Sequence, residues 1–117
     1  MILRTGVDLI EIERMRQAIE RHGERFLNRV FTPGELAHCA GRVESLAARF
    51  AAKEALYKAL SPEHGLHWHD AEVINHENGK PDFLFRGQIA DLVDGASVHL
   101  SLSHDAGIAS AMVVIER

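Results

Sequence analysis

The chain has 117 residues, 46% of them hydrophobic, which suits a single domain over residues 1–117 with a small core. Its one cysteine, Cys39, excludes an internal disulfide framework and fits a reducing, cytoplasmic setting. No charged-then-apolar leader is expected, and no apolar run approaches the roughly 18 residues of a membrane span. The net charge of −4 hides an asymmetry: residues 1–58 carry 10 Lys and Arg against 8 acids, a net of +2, whereas residues 59–117 carry 3 against 9, a net of −6. A basic half on an acidic chain favours local docking of an anionic partner over general nucleic-acid binding.

Residues 2–10 read as a strand from their β-branched and apolar content. Asp8 interrupts it near the end. Two readings are open: Asp8 caps the helix that follows, with Glu11 three residues on, or it offers a carboxylate to a cation, and one does not exclude the other. A helical pattern runs from about Glu11 to His22, with Ile10, Ile12, Met15 and Ile19 as apolar positions. Arg14 and Arg21 lie two turns apart on one side, and Arg25 joins them if the helix survives Gly23. They form either a solvated basic stripe or a docking face. Phe26, Val30 and Phe31 suggest a second short helix. Thr32-Pro33-Gly34-Glu35 then reads as an N-cap with Pro in the first turn, opening a helix to about Ala40 that Gly41 ends. Cys39, with no second cysteine, reads as a small buried residue.

From Ser45 to Leu60 the sequence SLAARFAAKEALYKAL contains no Gly or Pro and is rich in Ala and Leu, which predicts a helix of about four turns. Leu46, Phe50, Leu56, Tyr57 and Leu60 share one broad side, and six alanines cover most of the other. A helix apolar on both sides is buried on both. Arg49, Lys53, Glu54 and Lys58 interrupt that pattern, and charges in a buried helix need a partner or a charged ligand. Glu54 and Lys58 are spaced for an i,i+4 ion pair; alternatively, the carboxylate serves a cation and the amines serve phosphates.

Ser61-Pro62 stops this helix. His64, His67 and His69 then crowd one loop, but their spacing fits no standard structural zinc site. Residues 71–76 read as a strand, Glu77-Asn78-Gly79-Lys80 as a turn and 82–86 as the returning strand. A short helix from Gln88 to Val93 precedes a final hairpin, SVHLSLSH and IASAMVVI about a turn at Asp105-Ala106-Gly107, with His104 at the end of its first strand.

Together these segments resemble the holo-[acyl-carrier-protein] synthases, the short class of 4′-phosphopantetheinyl transferases. The matching stretches are GVDLIEIER at 6–14, FTPGEL at 31–36, ARFAAKEALYKAL at 48–60, WHDAEV at 68–73, NGKP at 78–81 and SLSH at 101–104, followed by ASAMVV. Asp in G-V-D, followed about 45 residues later by K-E-A on a helix, is the specific combination. The resemblance implies an α+β fold of the 4′-phosphopantetheinyl transferase type, a small antiparallel sheet packed with a long central helix, in a homotrimer with active sites between subunits. It implies Mg²⁺-dependent transfer of phosphopantetheine from coenzyme A to a serine of apo acyl carrier protein, releasing 3′,5′-ADP, in fatty acid biosynthesis. The family pattern assigns Mg²⁺ to Asp8 and Glu54, which with Lys58 are the expected catalytic residues. Around coenzyme A it implies Arg49, Lys53, Lys58, Asn78, Gly79, Lys80, Pro81 and His104. For carrier docking it implies Arg14, Met15, Arg21, Arg25 and Phe26. The chain departs from many relatives after the central helix, where Ser61-Pro62-Glu63-His64-Gly65 replaces a Gly-Thr-Gly-like loop near the coenzyme. A noncatalytic binding module is the competing class; the presence of both Asp8 and Glu54 argues against it.

Overall fold

Strand β1 (Ile2–Glu11) passes directly into α1 (Ile12–Val30), whose first turn has no side-chain cap. The Ile12 amide instead donates to the Gly107 carbonyl at 2.8 Å, which ties the helix start to the final hairpin. These features come from a computed structural model that describes every residue except His64 and Leu66. Inside α1, Gly23 adopts φ 57° and ψ −143°, outside helical space, so the element is two helical arms across a kink. Only a residue without Cβ turns this corner cheaply.

A capping box opens α2 (Pro33–Cys39): Thr32 Oγ1 accepts from the Glu35 amide at 3.2 Å while Glu35 Oε1 accepts from the Thr32 amide at 2.9 Å. The central helix α3 (Val43–Leu60) follows, and both of its sides are covered. Ala51, Ala52, Ala55, Leu56 and Ala59 pack on Leu100, Ala111, Val113 and Ile115 of the sheet and on Val73 and Phe83. Leu46, Ala47 and Ala48 pack with Met15, Val30, Phe31 and Cys39. Tyr57, expected within the apolar side, is instead 38% exposed. At Gly6 the backbone of β1 meets the backbone of α3: a Cβ there would fall on the Ala55 carbonyl.

After α3, a 3-10 turn (Trp68–Asp70) leads into the hairpin β2 (Ala71–Asn75) and β3 (Pro81–Phe85), then α4 (Gly87–Val93), β4 (Ser97–Asp105) and β5 (Ile108–Glu116). Two antiparallel sheets result, β1-β5-β4 and β2-β3. The β4–β5 turn places Ala106 at φ 50° and Gly107 at φ 79°, the two positive values that a tight two-residue hairpin needs. One face of the larger sheet covers α3. The other carries Val7, Leu9 and Met112 at 53%, 67% and 49% exposure, with Val7 directly opposite Met112. The expected α+β class, with its small antiparallel sheet and long central helix, is the observed architecture. Among the described residues, no helix is long and apolar enough to cross a membrane.

Candidate active site

Asp8 and Glu54 come together where β1 crosses α3. Asp8 does not cap α1; it lies within the strand, with its carboxylate toward the helix. Lys58 Nζ donates to Asp8 Oδ1 at 2.9 Å and to the Val7 carbonyl at 3.0 Å, so the lysine pairs with the strand rather than with Glu54 one turn away. The Asp8 side chain is 15% exposed, and that of Lys58 is 52% exposed. Glu54 is left beside a second carboxylate. Burial, and then the neighbouring Asp8 charge, push its pKa above the ordinary value, against a smaller opposing pull from Lys58. Two carboxylates side by side at a cleft match the donor chemistry of a divalent cation. Mg²⁺ in proteins is commonly held by one or two carboxylates, with water and substrate phosphates completing the shell, and Asp8 with Glu54 fits that chemistry.

A cavity of about 330 Å³ opens beside them, lined by Asp8, Leu9, Ile10, Arg14, Met15, Ala18, Phe26, Phe50 and Glu54. β1, both arms of α1 and α3 all contribute. Its apolar wall is backed by stacking: Phe26 and Phe50 have ring centroids 6.4 Å apart, and Phe50 stacks on Trp68 at 5.4 Å. Arg14 and Arg21 also line a shallow cleft on the outer side of α1 with Gln17, Ala18 and His22. Arg25 is exposed beyond the kink.

Three expectations change. Lys53, expected toward a phosphate, has a side chain with no exposure. Its Nζ donates to Glu35 Oε1 at 2.7 Å, the Val30 carbonyl at 2.8 Å and the Trp68 carbonyl at 3.0 Å, which uses all three protons. Burial pushes its pKa below the usual lysine range, and Glu35 opposes that shift. Arg49, expected around the nucleotide phosphates, is 4% exposed, with its guanidinium on Asn75 Oδ1 at 2.6 Å. Met15, expected on the docking stripe, is 1% exposed and lines the cavity from inside.

Asn78, Gly79 and Lys80 occupy the exposed β2–β3 turn, with Pro81 opening β3 and His104 exposed near the end of β4. None of these lines the carboxylate cavity. Glu35, Phe50, Trp68 and Asn75 gained no site role from the sequence. Glu35 signalled only a helix cap, Phe50 only the apolar side of the central helix, and Trp68 only a member of the matching stretch at 68–73. The histidine-rich loop forms no cluster of metal ligands among the described residues, and His69 Nε2 is engaged with the Asn28 carbonyl at 2.8 Å. His64, of that loop and of the 61–65 departure, lies outside the described residues.

Comparison with known proteins decides the family. The model of the 4′-phosphopantetheinyl transferase superfamily matches residues 4–110. The chain belongs to that superfamily, among the holo-[acyl-carrier-protein] synthases. It is 47% identical over 120 residues to the holo-[acyl-carrier-protein] synthase of Beutenbergia cavernae, covering 100% of both chains. It is 45% identical over 124 residues to that of Koribacter versatilis, covering 99% of each. The structure of Helicobacter pylori holo-[acyl-carrier-protein] synthase in complex with coenzyme A superposes with a TM-score of 0.87 at 31% identity, over 96% of this chain and 99% of that one.

Proposed function

We propose that this chain transfers the 4′-phosphopantetheine arm of coenzyme A to a serine of apo acyl carrier protein, releasing 3′,5′-ADP, in the cytoplasm and with Mg²⁺ held by Asp8 and Glu54. The observation that carries this reading is the Asp8–Glu54 pair at the cavity, with Lys58 bound to Asp8, in a chain similar over its whole length to holo-[acyl-carrier-protein] synthases. When bound, Mg²⁺ would polarise the phosphoryl group and neutralise charge on the departing phosphate.

The chain's own residues supply the remainder. Lys58 is aimed by two fixed acceptors and half exposed, so it offers an ammonium to an anionic substrate without a search over rotamers. The proton of the carrier serine passes to a metal-bound or ordered water at the carboxylate pair, or to Glu54 itself. The serine oxygen bonds to the phosphorus that bears pantetheine, and the bond from that phosphorus to the bridging oxygen breaks. The 3′,5′-ADP product leaves with the electron pair. Phe26, Phe50 and Ile10 limit water beside this reaction. Incubation with Mg²⁺, coenzyme A and apo carrier protein should add the phosphopantetheine mass to the carrier serine. Binding of coenzyme A without that mass increment would support the noncatalytic module instead.

The exposed arginines of the first helix suit the acidic helix of a carrier protein, with Phe26 as an apolar anchor at the cavity. Arg14→Glu and Arg21→Glu should each raise the KM for carrier protein about tenfold, and that for coenzyme A less than about twofold. Added salt should weaken carrier binding more in the wild type than in these variants. Equal effects on both substrates would return the arginines to a solvated face.

The outward sheet face of Val7, Leu9 and Met112 supports assembly with copies of the chain, and we assign it to a homotrimer. In that arrangement Asn78, Gly79, Lys80, Pro81 and His104 of one subunit complete the coenzyme site of the next, opposite its Asp8, Glu54 and Lys58. Mixing inactive Asp8→Ala chains with inactive Lys80→Ala/His104→Ala chains under conditions of subunit exchange should restore activity, because some sites then combine two undamaged halves. A mixture that exchanges subunits yet stays inactive would place each site within one chain.

A further inference from the structure

The β2–β3 turn is wired to the central helix through one side chain. Asn75 Oδ1 accepts from Arg49 Nη2 at 2.6 Å, and Asn75 Nδ2 donates to the Gly79 carbonyl at 3.1 Å. Arg49 is 4% exposed, its Nη1 also reaching the Ser45 carbonyl at 3.4 Å, so the helix end of this chain of bonds is fixed. The turn end is closed by further bonds. The His76 amide donates to the Lys80 carbonyl at 2.9 Å, the Gly79 amide to the His76 carbonyl at 2.8 Å, and the Lys80 amide to Asn78 Oδ1 at 3.0 Å. Gly79 sits at φ 86°, where a side chain would be strained, so its carbonyl direction depends on this closed pattern. At the base of the turn, His76 Nε2 contacts Asp82 Oδ2 at 2.9 Å.

We infer that Asn75 is a positioning residue for the 76–80 turn: it relays the buried Arg49 to the Gly79 carbonyl and thereby sets the affinity of that turn for the nucleotide end of coenzyme A. This rests on the proposed role of Asn78, Gly79 and Lys80 at the coenzyme. A surface turn held only by its own bonds samples several arrangements, and a ligand must then select one. Tying it to a buried guanidinium removes that selection step. Asn is the fitting residue because it accepts from an arginine and donates to a carbonyl at once. Glutamine places the amide one methylene farther out, and aspartate has no donor.

Asn75→Asp separates the two halves of the relay, because it keeps an acceptor for Arg49 and loses the donor to Gly79. Steady-state kinetics of the full-length protein should show the KM for coenzyme A raised roughly threefold to tenfold, the worth of one lost hydrogen bond, with kcat within about twofold. The KM for carrier protein and the melting temperature should be nearly unchanged. Titration with 3′,5′-ADP should show the same fold loss in affinity, and hydrogen exchange at the Gly79 amide should quicken. Asn75→Ser, which keeps a small donor, should fall between the two if it folds as the wild type does. Lys80→Ala is run alongside. If Lys80→Ala weakens coenzyme binding while Asn75→Asp leaves both the KM and the Gly79 exchange rate at wild-type values, the positioning role is overturned. If Lys80→Ala itself leaves coenzyme binding intact, the reading of the turn as a coenzyme contact fails instead, and Asn75→Asp would then speed exchange without changing the KM.

Discussion

Glu54→Gln is expected to lower kcat by about 10²-fold or more while raising the melting temperature of the metal-free protein. The loss follows from removing one of two carboxylates where phosphoryl transfer relies on electrostatic stabilisation. The gain follows from the same geometry: burial and Asp8 disfavour the Glu54 charge, and a neutral amide of the same shape escapes both. The pH dependence has a definite sign. A carboxyl whose folded pKa lies above its unfolded value costs stability as pH rises from the unfolded value through the folded one. Glu54→Gln should therefore gain little over the wild type at low pH and progressively more across that window. Added Mg²⁺ should stabilise the wild type increasingly over the same range, since a cation competes with a proton at that carboxyl, and should stabilise Glu54→Gln much less. Thermal scans across pH with and without Mg²⁺ check this. Wild-type turnover in Glu54→Gln at saturating Mg²⁺ would remove the assignment of Glu54 to the metal.

The second large effect lies behind the site. Lys53→Ala or Glu35→Ala should each destabilise the fold by about 3–5 kcal/mol, because each leaves the other charge buried and unpaired. For a domain whose total stability is about 5–15 kcal/mol, that is about a fifth of the whole at the least. Lys53 also bonds the Val30 and Trp68 carbonyls, and Glu35 also accepts from the Thr32 and Val73 amides, so the pair joins both ends of the aromatic wall to α3. Removing both charges with residues of similar volume, Lys53→Met with Glu35→Leu, should cost clearly less than the two alanine changes added together. Urea unfolding of the two alanine singles and the paired variant tests this. A paired variant that costs the full sum would show that the individual backbone bonds, rather than charge pairing, hold this region.

Much of this architecture is legible in the sequence because its signals are local. Thr32-Pro33-Gly34-Glu35 announces a capped helix, the alanine and leucine pattern announces a helix covered on both sides, and Asp105-Ala106-Gly107 announces a tight hairpin. The partners of charged groups are not local. Lys58 has Glu54 one turn away in sequence but takes Asp8, and Lys53 reads as an available amine until the fold closes Glu35 and two carbonyls around it. Arg49 misleads in the same way, since its acceptor Asn75 lies on a hairpin beyond the helix. Met15 follows the apolar stripe of its helix inward, although it stands next to an arginine that faces out. Spacing along a chain assigns faces, whereas the pairing of long flexible side chains depends on which distant backbone arrives beside them.

Gly6 gives the site a property that neither carboxylate has alone. Asp8 and Glu54 belong to segments far apart in the chain, and the strand and helix that carry them meet backbone to backbone where Gly6 lies against Ala55. No side chain fills that contact, so there is no rotamer whose hopping would let the two segments drift apart. The entropy lost in bringing the two charges to one place is lost when the chain folds, and little of it remains to be lost when a ligand arrives. A residue with no chemistry of its own thus moves an ordering cost from the binding step to the folding step.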